Sequence, residues 1–393
     1  MKIDTKKPIH WAYLVVFFLN SFAAAILRPF VWRNNGGLVL LYGHKLNSNL
    51  KGIYDFSRNN SHADLTLCFL TMDPVYFREL RAAGESALLA LNPLNIIKMA
   101  RCSVIVSDHG LHALEVLLKF SNISFVDVWH GIPFKGFDAD DFRMQHRYAE
   151  IWLTSDLLID LYVTRFGFRR EQLHATGYAR TDVLVNRSVN SMDVRKRLGI
   201  PVSVDKVILF APTWKQDRNN RSIFPFDSSE KVFFSALEQL CEKLSVACVF
   251  RTHLNSRAGD GGRYNNIFFA PHAKFPDTEE ILLACDALVC DWSSIAFDYL
   301  LLDRPTVFLD VEPPFKKGFS LNEDYRFGEV VESLEEMIAA LELYIKQPEA
   351  YHITHDERCA VVKKALYDSN ADGHAAERCY ARLEALVSES AAA

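Results

Sequence analysis

Short apolar runs rich in β-branched and aromatic residues recur along this chain, separated by longer amphipathic stretches. Such runs read as strands buried on both faces, and the helical stretches supply the crossovers that parallel strands require. The pattern restricts the fold to α/β with parallel sheets. In the first half, strands are predicted at 37–43, 65–71, 86–91, 103–108 and 124–131, then at 150–155 and near 173–176. Helical segments fall between them at 47–59 and 112–120. A second cycle starts near Val204, with strands at 206–212, 246–253, 266–271, 287–291 and 305–310. The segment 230–244 reads as a clear helix, and Thr278 opens another with Glu279 and Glu280 in its first turn, where the helix dipole favours acids.

A length of 393 residues suits two domains better than one core. The expected division is an apolar helix over 1–35, a Rossmann-like acceptor domain over 36–200, a Rossmann-like donor domain over 201–365 and a terminal helix over 366–393. Residues 186–203 read as the connection between halves. Two doubly wound domains facing each other across a cleft, with an N-terminal helix and a helical tail, resemble the GT-B architecture. In sheets of this kind ligands bind beyond the carboxyl ends of the strands. Composition agrees with a globular chain, at 49% apolar and 24% charged, and a net charge of −5 gives no sign of a nucleic-acid partner. Eight cysteines without a CxxC pair read as small buried hydrophobes of a reducing compartment, not as a disulfide framework or zinc site.

Residues 11–27 carry no formal charge, with Lys2, Lys6 and Lys7 before them and Arg28 and Arg33 after. Three readings compete: a cleaved signal peptide, a buried core helix, and a helix in or on a membrane. Basic residues on both flanks favour neither orientation of a span. The preferred expectation is a peripheral or monotopic helix dipping into the inner leaflet at the cytoplasmic face of the cell membrane.

The strand ends carry most of the chemistry. The run 124–131 leads into Trp129-His130-Gly131-Ile132-Pro133-Phe134-Lys135, and 206–212 into Ala211-Pro212-Thr213-Trp214-Lys215. Arg251-Thr252-His253 closes the run 246–253, and Asp291-Trp292-Ser293-Ser294 follows 287–291, with Phe297-Asp298-Tyr299 beyond. With Asp372-Gly373 and Glu377-Arg378 near the end, these motifs resemble the CDP-glycerol glycerophosphotransferase family, which contains primases and polymerases of teichoic acids and of some capsules. Two departures are visible. Lys215 stands where arginine is commoner, and Leu254 replaces the proline usual after His253. The first 120 residues share mainly the stretch GHKLNSNLKGIYDF.

The resemblance implies transfer of glycerol phosphate from CDP-glycerol to a lipid-linked or glycan acceptor at a membrane, or of ribitol phosphate from CDP-ribitol. His130 is the expected general base, since an imidazole with a pKa of about 6.5 takes a hydroxyl proton near neutral pH. Gly131 and Pro133 would hold its turn open for the acceptor, with Lys135 nearby. His253 is the second catalytic candidate. With Arg251 and Lys215 it would neutralise the donor pyrophosphate, joined by Thr213. Ser293 and Ser294 would open a helix over 294–302 whose N–H groups attract phosphate. Asp298 would orient Ser294 or receive a polyol hydroxyl. No cofactor is expected. Asp138-Ala139-Asp140 spells a metal-binding DxD but follows a loop, and His352, His355 and Asp356 read as lying before a helix capped by Thr354; neither is expected to hold a metal. The alternatives are a nucleotide-sugar transferase of the same fold and a catalytically silent membrane scaffold.

Overall fold

The computed structural model describes residues 3–31, 37–60, 64–213, 224–251 and 264–392. Lys215 and His253, two of the expected donor-site residues, lie outside them. The chain forms two compact units. Met1–His130, Asp138–Asp182 and His374–Ala393 make the first; Gly131–Phe137 and Val183–Gly373 make the second. The backbone therefore passes from one unit to the other four times.

The first unit is built on a parallel sheet of seven strands: β1 (Leu38–Tyr42), β2 (Thr66–Thr71), β3 (Ala87–Leu89), β4 (Val104–Ser107), β5 (Ser124–Asp127), β6 (Glu150–Leu153) and β7 (Leu173–Ala175). Their order is β3-β2-β1-β4-β5-β6-β7, so the winding reverses between β1 and β4. Val39 pairs with Val104 and Tyr42 with Ser107 across that seam. Val39, Leu41, Val104, Val106 and Val126 are wholly buried, each worth about 1.5–3 kcal/mol of transfer free energy. β5 stops at Asp127, short of the predicted 131. There the Asp127 carboxylate accepts the Trp129 N–H at 2.6 Å, and Trp129 turns to φ 38°, which ends pairing.

The N-terminal segment is one helix, α1 (Pro8–Val31), long and apolar enough to cross a membrane. One face packs on the first unit through Phe17, Asn20, Ser21, Ala24, Ala25 and Arg28, at helical spacing. Asn20 donates to the Ala90 carbonyl at 2.8 Å. Arg28 donates to the carbonyls of Ala100 and Cys102 at 3.0 and 2.7 Å and to the Asn122 side chain. Arg28 is thus a buried tether rather than a flanking surface charge. The opposite face exposes Trp11, Val15, Phe18, Phe22, Ile26 and Phe30.

The second unit carries a parallel sheet of six strands: β8 (Val207–Phe210), β9 (Ala247–Phe250), β10 (Ile267–Phe269), β11 (Ala287–Cys290), β12 (Thr306–Leu309) and β13 (Glu329–Val331), ordered β10-β9-β8-β11-β12-β13. Its winding reverses between β8 and β11. β13 was not foreseen; it is a three-residue edge strand with a single buried side chain, which leaves no apolar run to read. The helix Glu230–Leu244 forms as predicted, capped by Ser229. The helix after β11 is shorter than expected, spanning Ile295–Leu300. Its end tightens into i→i+3 bonds from Leu301 and Leu302 to Asp298 and Tyr299, with Asp303 at φ 52° before Arg304-Pro305. All eight cysteines are free thiols, seven of them buried.

Candidate active site

In the first unit the winding reversal brings three histidines to neighbouring strand ends: His44 after β1, His109 after β4 and His130 after β5. Asp108 lies at the centre and is 2% exposed. Its carboxylate accepts from His109 Nδ1 at 2.7 Å, and its backbone carbonyl accepts from His130 Nδ1 at 3.2 Å. The His109 and His130 rings stack at 5.0 Å and 11°, while His44 tilts against His109 at 4.5 Å. Gly43 has to be glycine here, because a Cβ would fall 2.5 Å from Asp108 Oδ1 and 2.7 Å from Leu50. Burial opposes charge on His109, yet the Asp108 carboxylate, helped by Asp127, lifts its pKa above the ordinary value. His112, whose Nδ1 lies 2.9 Å from the Tyr42 hydroxyl, is shifted down by burial.

His130 itself is exposed and also stacks on Trp129 at 4.5 Å. Because Nδ1–H is the only hydrogen that ring nitrogen can offer a carbonyl, the bond to Asp108 puts the lone pair of the neutral ring on Nε2. The turn carrying it is clamped by Asn49, which is 1% exposed. Asn49 Nδ2 donates to the carbonyls of Val128 and Trp129 at 2.8 and 2.9 Å, and its Oδ1 accepts the Arg180 N–H at 3.2 Å. Asp127 is buried beneath the turn, and burial pushes its carboxyl up to about 7.

The rest of that motif belongs to the second unit. Ile132 and Phe134 are buried, with Phe134 against Phe297 at 4.4 Å and Trp292 at 5.9 Å. Lys135 bridges antiparallel to Phe319, its carbonyl accepts from Ser320 Oγ at 2.6 Å, and its ammonium lies 5.0 Å over the Phe137 ring. Gly136 abuts the carbonyls of Lys317 and Gly318, leaving no space for a Cβ. Gly131 is buried. Packing by Ile132 and Phe134 fixes this segment, in place of an open turn held by Gly131 and Pro133.

At the second unit's own winding reversal, Thr213 follows β8 and Asp291 follows β11. Asp291 accepts the Thr213 N–H at 2.7 Å and also its hydroxyl. Ser293 and Ser294 are half-buried; Ser294 precedes the helix without a side-chain capping bond. That helix has six residues, against the expected span 294–302. Asp298 is buried, and the Tyr367 hydroxyl reaches it at 3.4 Å. Arg251 is also employed otherwise than expected. Its guanidinium is buried and donates to the Phe275 carbonyl and Thr278 Oγ1, each at 2.8 Å. Burial lowers its pKa to about 10. Among the described residues, this site gathers Thr213, Asp291, Ser293 and Ser294.

Two motifs set aside as metal sites have other uses. Asp138 caps the turn Ala139–Phe142 in a reciprocal pair with Asp141. His352, His355 and Asp356 lie inside the helix Pro348–Tyr367, not before it, with His352 on Asp356 at 2.8 Å and His355 on Glu329 at 3.1 Å. Thr354 bonds the Ala350 carbonyl a turn back and caps nothing. Among the described residues no group of three His, Cys, Asp or Glu side chains is arranged to hold a metal ion. Sequence reasoning missed Asn49, Asp108 and His109. The signal for the last two was an acid and an imidazole closing the run 103–108, the same kind of signal that picked out His130.

The sequence profile of the CDP-glycerol:poly(glycerophosphate) glycerophosphotransferases matches residues 26–385. The chain belongs to this family. Among curated relatives, the teichoic acid ribitol-phosphate polymerase TarL of Staphylococcus aureus is 27% identical over 252 residues, covering 59% of this chain and 44% of the relative. A teichoic acid poly(glycerol phosphate) polymerase of Staphylococcus epidermidis is 31% identical over 240 residues, covering 52% and 32%. The match thus spans less than half of either relative's length. In solved structures, the wall teichoic acid polymerase TagF superposes with a TM-score of 0.73 at 20% identity, covering 98% of both chains. A histidine-to-asparagine variant of it, soaked with CDPG, gives 0.72. The likeness establishes the fold as two parallel-sheet α/β domains of GT-B type with an N-terminal apolar helix and helical C-terminal segments.

Proposed function

We propose that this chain transfers glycerol phosphate from CDP-glycerol to a hydroxyl of a lipid-linked or glycan acceptor, releasing CMP, in the synthesis of a cell-surface polymer such as teichoic acid or capsule. The observation that carries the proposal is the exposed His130, which stands in the family's His-Gly-x-Pro-x-Lys motif with its Nδ1–H given to the Asp108 carbonyl. In this reaction the acceptor hydroxyl oxygen attacks the phosphorus that bears glycerol. The anhydride bond to CMP breaks with its electron pair passing to the CMP oxygen, and Nε2 of His130 takes the hydroxyl proton. The second unit takes the donor, with Thr213, Ser293 and Ser294 near its phosphates and Lys215 and His253 supplying positive charge. His253 is the second catalytic candidate. The first unit takes the acceptor. The membrane is the inner leaflet, reached from the cytoplasmic side.

A second donor has one specific point in its favour, the 27% identity to a ribitol-phosphate polymerase. Purified protein incubated with an acceptor and, separately, CDP-glycerol, CDP-ribitol or UDP-sugars decides between them by which donor is consumed with release of its nucleotide. Glycerol transfer predicts CMP from CDP-glycerol alone. His130→Ala should then lower turnover by about 10²-fold or more while leaving donor affinity within about twofold, because the lost group acts on the proton in flight and does not hold the donor. Near-normal turnover of this variant would remove His130 from the role of base.

A further inference from the structure

The arrangement around Asp108 goes one step past a lone base. We propose that Asp108 and His109 are positioning residues for His130: the Asp108 carbonyl fixes the tautomer of His130, and the His109 imidazolium, held by the Asp108 carboxylate, keeps the stacked His130 ring unprotonated. The inference rests on the reading of His130 as base, and it adds what keeps that base in its working form.

The geometry supplies both halves. A single residue bonds the Nδ1 of each imidazole, His109 through its carboxylate at 2.7 Å and His130 through its carbonyl at 3.2 Å. The rings then lie almost parallel, 5.0 Å apart. A buried carboxylate beside His109 favours its charged form, and a charged ring beside His130 disfavours a second charge there. Repulsion between two unit charges about 5 Å apart, offset in part by the Asp108 carboxylate, moves the titration of His130 down by roughly half a pH unit or more.

The other groups facing the pair act as follows. Asp127, below the turn, adds to the field that keeps His109 charged. His44 tilts on the His109 ring at 4.5 Å, and His112, beyond it, is turned toward the Tyr42 hydroxyl and biased to neutrality by burial. Trp129 stacks on His130 and by cation–π attraction favours a proton on it. Among these described groups His109 is the one that opposes protonation of His130, against the Asp108 carboxylate and Trp129. The missing side chain at Gly43 leaves the space that the Asp108 carboxylate occupies.

The test uses the full chain. His109→Phe keeps a ring on His130 and removes the charge. The acidic limb of turnover against pH should move up by half a unit or more, with the KM for CDP-glycerol within about twofold of the parent. In protein labelled at histidine nitrogens and carbons, the NMR titration of His130 should move up in the same direction. A uniform fall in turnover at every pH, with the His130 titration unmoved, would overturn the proposal and leave His109 a packing residue. Should His130→Ala retain turnover while the His130 titration still moves in His109→Phe, the coupling stands and the base assignment falls.

Discussion

Trp129 occupies φ 38°, a region that costs a bulky side chain about 1–3 kcal/mol. Its neighbours show what offsets that cost: Asp127 takes its N–H, and Asn49 takes two successive carbonyls of the same turn. The strain sits one residue before His130, so the clamp also sets where the imidazole points. Asn49→Ala should cost roughly 1–3 kcal/mol in denaturant unfolding, since buried carbonyls are left without a donor, and should lower turnover at least tenfold with the donor KM unchanged. A matched fall in stability without a fall in turnover would separate the clamp from the chemistry. At this scale the sequence was half legible. His130 announced itself by its motif, and Thr213, Ser293 and Ser294 by strand ends. Asn49 bonds the carbonyl of a residue 79 positions away, and Asp108 offers its own carbonyl to a ring 22 positions away, relations that no local pattern encodes. Arg251 misled for the converse reason: a strand-end arginine reads as an anion ligand until its guanidinium is seen satisfied by the protein's own carbonyl and hydroxyl oxygens.

Elements were the most legible level, because buried parallel strands advertise themselves as apolar runs. The strands at 38–42 and 104–107 lie within one residue of the predicted ends at both sides, whereas β5 lost its last residues to the Asp127 turn. The terminal helix was foreseen as a helix but not for its attachment. Asp182 receives the N–H groups of Ala375 and Ala376 at 2.9 and 2.7 Å, and Arg378 Nε donates to the Thr176 carbonyl at 2.8 Å. Further along, Arg382 meets the buried Glu150 of β6. Burial alone would raise the Glu150 carboxyl, but His174, Arg382 and Trp152 outweigh it and hold it at about 2. A carboxylate with its folded pKa below the unfolded value gives stability that is complete above about pH 4.5 and lost as the pH falls toward 2. Arg382→Ala should therefore raise the midpoint of acid unfolding and cost roughly 1–2 kcal/mol near pH 7, the discount reflecting a guanidinium that is one-third exposed. Identical acid midpoints for parent and variant would show that His174 and Trp152 suffice.

For the whole molecule, the open question is what faces the outer side of α1. The family profile begins at residue 26, so most of this helix has to be understood from its own residues. Its inner face is committed to protein: Asn20 and Arg28 give their hydrogen bonds to backbone carbonyls of the first unit. Those bonds would have to be abandoned for the helix to cross a bilayer, which favours lying along the surface. The outer stripe of Trp11, Val15, Phe18, Phe22, Ile26 and Phe30 recurs every three or four residues, the spacing of a single helix face. Lys6 and Lys7 are exposed just before it, suited to anionic headgroups, and Trp11 sits where an indole favours the interface. Burying side chains of this kind yields about 1.5–3 kcal/mol each when complete, so partial insertion of several suffices for peripheral binding. Phe18→Glu, Phe22→Glu and Ile26→Glu together change only exposed positions and should leave the fold and its circular dichroism intact. The triple variant should leave the vesicle fraction in flotation with phosphatidylglycerol-containing liposomes. It should also lose turnover on a lipid-linked acceptor far more than on a soluble analogue. Retention on the liposomes by the triple variant would mean that another surface binds lipid and that this stripe is covered by protein instead.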